Sequence, residues 1–520
     1  MKRMAKTAAF FAAVVMLFAS CVSTNVKEGD QQERPDSEQV ETEQPVAAEK
    51  TKTKKQKAKK PKEKRPKAKK KKFVQEAFDQ AFASCDYDTC IAMINGKKRS
   101  KDKILNALDA NMLMHLNGQY LDSARAFMDT QRAMQQSSSD TSGGKSFAAT
   151  VAGENSTAYA GAVYERLLAY SMRAVNALAL GDISNAKGVM DTYAGDYKDV
   201  IAPLVVQEKE LEAESENALE DDEVSKALKS LRSVGVSVDL GGVNGGRPAK
   251  YTGKPYENSA FLSYLGALIY AANNSPDHAQ DSARLLRETN PNISVSEDIA
   301  IPAGKGRLNV VALSGTIGKR SQAAREFSTG LIPVLNTPLK FKIAYPVFLA
   351  QNHAINAVRV TLSNGAAKTA TLIEDFDEAA RIDVAKKARG AYNRSVFRNI
   401  TKNAATATVS ITALIAANEA VKQSEGSIIM QIAAQATYAA TVAGLNAGLN
   451  AIIKAEKADV RQGSYFPHKA SAAGFTVNPG TYSVKVEYLS KDGTVIETKE
   501  QGDISVVAGK PTVVVSSCGK

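Results

Sequence analysis

The first twenty-one residues constrain this chain more than any other segment, because they fix where folding takes place. Lys2, Arg3 and Lys6 form a positive start, and Ala8 to Ala19 is an unbroken apolar run. That run is too short to cross a bilayer, which needs ~20 residues of helix. It reads instead as the apolar region of a secretory signal peptide, over residues 1–20. Leu17-Phe18-Ala19-Ser20 places small residues directly before Cys21. This is the arrangement of a lipobox, in which the cysteine becomes an acylated N-terminus. Cys21 is the expected lipidation site. Val22 stands where an Asp would signal inner-membrane retention in enteric bacteria, so the outer membrane is the favoured destination.

Charge then separates a tether from a body. Lys50 to Lys72 carries fifteen basic residues against Glu63 alone, residues 21–49 sum to −6, and residues 1–20 to +3. The whole chain is +12, which leaves +1 for residues 73–520. Residues 21–72 hold almost no large apolar side chains and cannot offset their ordering entropy, so a disordered charged tether is expected there. The Lys block suits contact with anionic lipid headgroups or an anionic cell-wall polymer, each Lys adding on the order of 1 kcal/mol. It also suits a plain solvated spacer. Export argues against nucleic acid as the partner of such a tail.

The body is long enough for several domains. In residues 73–292, apolar positions recur at helical spacing in Leu105, Leu108, Met112 and Leu116, then Tyr164, Leu168, Met172 and Val175, then Phe261, Tyr264, Leu265 and Leu268. Each set runs into Gly118, Gly181 or Asn274, and a small residue follows five positions on, at Ser123, Ala186 and Ala279. The first allows a turn, and the second lets the next helix approach closely. The pattern resembles the turn and second helix of tetratricopeptide repeats, with spacing too irregular for a regular array. A concave protein-binding surface and a plain helical bundle both remain open.

Residues 293–460 change texture. Leu308 to Leu313 and Phe341 to Phe348 predict strands, and Ala357 to Ser363 with Thr369 to Ile373 predict a hairpin about Asn364-Gly365. A helix is expected to start at Asp375, with Glu378 as a capping box, and to continue through Arg398. The acids Glu374, Asp375, Asp377 and Glu378 are read as helix-start acids in preference to metal ligands. A second long helical stretch, Ala405 to Lys457, is rich in Ala and Gly and contains Gly444-x-x-x-Gly448. It is expected to be a buried helix, because Gln431, Gln435, Asn446 and Asn450 are costly in lipid. Residues 461–520 turn to period two in Tyr482, Val484, Val486 and Tyr488, predicting a small antiparallel β unit. The fold class is therefore α+β and mainly α, with irregular tetratricopeptide-like hairpins, a mixed region with long Ala-rich helices, and that β unit.

Several segments recur in a fixed order: the lipobox, the helix pairs, Asp375 through Arg381, Arg398-Asn399-Ile400-Thr401-Lys402, Lys457-Ala458-Asp459-Val460-Arg461, and Asn478-Pro479-Gly480-Thr481-Tyr482. In this order they resemble a family of uncharacterised bacterial envelope lipoproteins. Relatives carry a Trp after the Ala-Asp-x-Arg segment, where this chain has Gln462 through Pro467. The resemblance implies architecture and address and no activity.

Motifs that carry chemistry are missing. Gly315-Thr316-Ile317-Gly318-Lys319 lacks the gap of a phosphate loop, and no Gly-x-Ser-x-Gly elbow occurs. His115, His278, His353 and His468 have no ligand spacing. No catalytic residue, metal ligand or cofactor is therefore expected. The leading expectation is a lipid-anchored scaffold that binds other envelope proteins; the alternative is a cell-wall or glycan binder. One covalent feature is expected in the body. Asp86 and Asp88 favour a turn between Cys85 and Cys90, which would bring the two sulfurs into a disulfide and leave Cys518 single. Two small buried thiols in adjacent helices are the plainer reading.

Overall fold

The computed structural model describes residues 73–97, 100–139, 155, 157–332, 337–423 and 427–520. Cys21 and the Lys block lie outside the described residues. The body is α+β and mainly α, as its patterning predicts.

The first half is built from helices that sit largely where apolar spacing puts them. They are α1 (Gln75–Ala83), α2 (Tyr87–Asn95), α3 (Lys103–Leu116), α4 (Tyr120–Ser139), α5 (Val163–Ala179) and α6 (Ile183–Asp196). Then follow α7 (Ala202–Glu216), α8 (Asp222–Ser233), α9 (Leu240–Gly245), α10 (Ala260–Ala272), α11 (Pro276–Thr289) and α12 (Ser296–Ile299). The three expected hairpins are α3/α4, α5/α6 and α10/α11. Gly118, Gly181 and Asn274 take φ of +74°, +71° and +55°, the left-handed conformation that ends a helix. Ser123, Ala186 and Ala279 are each fully buried, where the second helix meets the first. Ser123 does more than fit. Its hydroxyl donates to the Asn111 carbonyl at 2.8 Å and accepts from Asn176 Nδ2 at 2.9 Å, tying α3, α4 and α5 together.

Helices α5 and α10 are buried almost all round and not on one face only. They lie at the centre because a sheet covers the side that solvent would otherwise take. Strands β1 (Gly306–Ser314), β6 (Thr371–Asp375), β7 (Lys469–Val477) and β10 (Pro511–Cys518) form this sheet in the order β10-β1-β7-β6. Val311, Leu313, Ala470, Ala472 and Val515 face the helices. Leu308, Val310, Phe475 and Val514 face the other way, against a second sheet. That sheet has the order β5-β4-β8-β9, from β4 (Ala357–Leu362), β5 (Ala367–Thr369), β8 (Gly480–Leu489) and β9 (Val495–Val506). With helices on one face and a sheet on the other, every residue of β1 is buried, which explains its near-continuous apolar run.

The boundary expected at 460/461 is not a boundary in the fold. β7 and β10 flank β1, with β10 parallel to it, and β8 pairs with β4. Strands from both segments share both sheets because neither segment alone has two apolar faces to close a sandwich. The hairpin about Gly365 (φ +84°) is present as β4 and β5, after which β6 leaves for the other sheet. A further ribbon, β2 (Lys319–Ile332) with β3 (Thr337–Leu349), lies on the long helix described next. β2 shows no clean alternation and was invisible to a period-two reading.

Two long helices complete the body, α13 (Phe376–Gln423) and α14 (Ile428–Ala455). α13 runs unbroken through residues 399–405, where the sequence reading divides it; no Gly or Pro interrupts that stretch. At 48 residues it is about 72 Å long.

Candidate functional site

The C-terminal part of α13 and the whole of α14 form an antiparallel helical hairpin. Its seam is narrow: Ala404, Ala407, Ile411 and Leu414 of α13 meet Leu445 and Leu449 of α14. Gly448 permits this approach, since a Cβ there would stand 3.1 Å from the Thr406 methyl. The remainder of α14 is not buried. Only Leu445 and Leu449 are fully covered, so the expectation of a buried helix is corrected. Ile428, Ile429, Met430 and Ile432 at the start of α14 are 76, 81, 64 and 61 % exposed. Four large apolar residues in five positions spread over about 200° of the helix circumference, more than a single neighbouring face of the body would cover. The side of α14 away from the seam is mostly Ala, with Gly444 open to solvent. Gln435, Asn446 and Asn450 are exposed along it. Both long helices have the length and hydropathy of a membrane span by composition alone.

At its other end α13 builds a different kind of place. The acids predicted as helix-start residues divide their work. Asp375 caps the helix, accepting from the backbone N–H of Asp377 at 3.0 Å and of Glu378 at 3.4 Å. Glu378 pairs with Arg381 on the surface. Glu374 is buried and accepts from Tyr256, Ser259 and the Phe261 N–H. Burial pushes its carboxyl up, against the pull of those hydrogen bonds.

Asp377 turns inward to two histidines. His353 Nε2 lies 3.1 Å from Asp377 Oδ2, and His468 Nε2 lies 3.8 Å from the same oxygen and 3.5 Å from Asp375 Oδ1. The imidazoles stack with centroids 3.4 Å apart at 17°. Burial pushes the His353 imidazole below its ordinary range, although its hydrogen bond to Asp377 opposes this. Burial alone would raise Asp375; His468 and Lys469 outweigh it and hold the carboxyl low. Three chain segments fix the group: the loop after β3, the first turn of α13, and the residue before β7. The backbone of His468 is held on both sides, its N–H by the Ser314 carbonyl and its carbonyl by the Phe376 N–H. Gly315, at φ +68°, gives the rings room: a Cβ there would meet His468 Cβ at 3.1 Å and His353 Nδ1 at 3.2 Å.

The two histidines have no ligand spacing in sequence, and folding brings them together. His353, Asp377 and His468 each offer a ligand atom within 4.8 Å of the others. The other histidines are elsewhere. His115 is buried between Asn176 and Ser517, and burial pushes it down to about 4. His278 stacks on Tyr270.

Cys85 and Cys90 are free thiols, as is Cys518. The expected turn exists, and Asp86 caps α2 by accepting from the Thr89 N–H at 3.1 Å. It aims the two side chains apart, however. Cys85 sits outside the helices at φ +60° and is exposed. Cys90 lies one turn into α2 against the core, where burial pushes its thiol up to about 11. Cys518 is buried between the two sheets, at an end of the chain that pairing with β1 orders.

Three of the segments quoted from the sequence, at Arg398, at Lys457 to Arg461 and at Asn478 to Tyr482, fall at joints of the body. Arg398 Nη2 binds Glu456 Oε1 at 2.5 Å, both side chains buried, beside Lys457. Arg461 binds Asp459 and reaches Asp102 of the helical half at 3.5 Å. In the turn between β7 and β8 the Tyr482 hydroxyl donates to the Asn478 carbonyl at 2.8 Å. No family model, curated protein or solved structure matches the chain.

Proposed function

We propose that this chain is a lipid-anchored cell-envelope scaffold, held to the outer membrane through Cys21, whose α13/α14 hairpin docks apolar helices of another envelope protein. The hairpin's exposed apolar surface carries the reading. A monomer seldom leaves such a surface open to water unless something covers it. Its texture favours helices as that cover. Ala and Gly let backbones approach closely, and the exposed amides of Gln435, Asn446 and Asn450 can pair across a helix interface, whereas in lipid they would add cost.

Photo-crosslinking in cells tests this, with the reactive side chain placed at Ala440 in the full-length chain. The expected product joins it to an apolar, small-residue helix of one envelope protein, and replacing Ile428, Ile429, Met430 and Ile432 together by Ser abolishes it. Crosslinks to lipid alone, or to no protein, would overturn docking. The anchor is tested separately: Cys21→Ala is expected to leave an unlipidated precursor, and lipid found on that variant by mass spectrometry would refute it.

A further inference from the structure

We propose that His353, Asp377 and His468 bind a divalent transition-metal ion, with zinc the ion that best suits their donors. Nitrogen and oxygen ligands ~2.1 Å from one ion stand roughly 3.0 to 3.4 Å from each other in octahedral or tetrahedral sites. His353 Nε2 stands at that spacing from Asp377 Oδ2, at 3.1 Å, and His468 Nε2, at 3.8 Å from the same oxygen, is within a few tenths of an ångström of it. Two imidazoles with a carboxylate are a borderline donor set, which selects zinc or iron(II) over calcium or magnesium. The charge also balances. The carboxylates of Asp375 and Asp377 together match a divalent ion, with Lys469 at 4.0 Å from Asp375 as the nearby cation.

The support behind the ligands is of the kind that orients metal-binding groups. The Gly318 N–H donates to Asp377 Oδ1 at 2.6 Å, which leaves Oδ2 facing the imidazoles. Gln462 holds the Gly318 carbonyl in turn. Ion entry is open, since the His353 and Asp377 side chains are each 12 % exposed. The three donor atoms lie within 4.8 Å of one another, and an ion shared among them requires the stacked rings to tilt open so that both Nε2 lone pairs point at it.

The test titrates zinc into the purified, chelator-stripped full chain, with cobalt(II) as a spectroscopic stand-in. Expected are one tight equivalent of zinc, cobalt absorption bands showing nitrogen and oxygen ligands, and a higher Tm with zinc. His353→Gln lies in a loop and should leave the fold intact by circular dichroism while weakening affinity at least ~10- to 100-fold. Asp377→Asn and His468→Gln should do the same. Failure of the wild type to bind one equivalent, or undiminished affinity in a folded His353→Gln variant, would overturn the site. Both readouts are independent of hairpin docking, so either proposal can fail alone.

Discussion

The two halves of α13 reverse each other's chemistry. From Phe376 to about Ala404 the helix lies in the body, and its buried positions include Asp383, Asn393, Ser395, Arg398, Asn399 and Asn403. Beyond that point the helix is almost free of charge, and together with α14 it leaves apolar side chains in water. Polar residues are inside and apolar ones outside. The inner half shows why this is tolerable. Ser395 donates to Glu456 at 2.7 Å and accepts from the Ala344 N–H at 3.0 Å; Asn393 donates to the Ser215 carbonyl and accepts from Arg247. Asp383 is held by Arg320 at 2.5 Å and Lys387 at 2.7 Å. Ser395, Asn393 and Asp383 each have a partner from a different element, so together they fix how β2, β3 and α7 lie on the helix, whereas Asn403 bonds back to the Asn399 carbonyl of α13 itself. Among the described residues the outer half shows no such buried polar network, and its exposed apolar surface is the one the proposed docking uses.

The largest expected effect breaks the inner half. Arg398→Met leaves Glu456 buried without its cation and should cost about 3–5 kcal/mol in denaturant unfolding. The double change Arg398→Met with Glu456→Leu should recover most of that loss. If the single variant costs under about 1 kcal/mol, the buried pair does not hold the joint. The outer half is tested next, one position apart on the same helix. Leu414→Ala, in the seam, should cost about 2–5 kcal/mol, locally within the hairpin and readable by hydrogen exchange. Ile415→Ala, 45 % exposed, should stay within about 0.5 kcal/mol.

A smaller effect separates the regions by pH. Asp109 is buried, and burial pushes its carboxyl up to about 7 from an ordinary 3.8, although the Ser464 N–H and Lys97 pull it down. Its folded pKa is raised, so between pH ~4 and ~7 the folded state binds the extra proton. Stability from this group therefore falls as pH rises through that window and levels off above it. Asp109→Asn should remove the slope and raise stability at pH 8 by ~1–2 kcal/mol. The hairpin has no titratable acid or histidine between Ile428 and Ile453, so its exchange protection should not follow this slope. The smallest effect on stability is in the tip itself. Ile429→Ser should change unfolding by less than ~0.5 kcal/mol while weakening partner capture.

Sequence periodicity was informative wherever one residue decides a local conformation. Gly118, Gly181, Asn274 and Gly365 mark turns because only a few residue types take positive φ cheaply. It failed where the decision is made by distant chain. The pairing of β10 with β1 leaves no local trace, so the change of texture at 460/461 does not mark where the fold divides. Cys85 and Cys90 are close in sequence yet point apart, while His353 and His468 are far apart yet stacked. The apolar run of α14 predicted burial because composition reports preference for a dry surface, and says nothing of whether this chain supplies it.

The position of β1 also sets a timetable. Its two neighbours are β7, at 469–477, and β10, at 511–518, while β1 itself is made at 306–314. A chain emerging from its N-terminus must hold a strand that is buried along its whole length, with the apolar run Val310 to Leu313, unpaired until both arrive. The helices α5 and α10 can cover one side of it early, and the other side must wait. Completion is therefore late and dominated by long loops, which slows folding and leaves a sticky strand exposed in the meantime. Truncation before Pro511 would make that interval permanent, and such a chain should aggregate rather than merely lose stability.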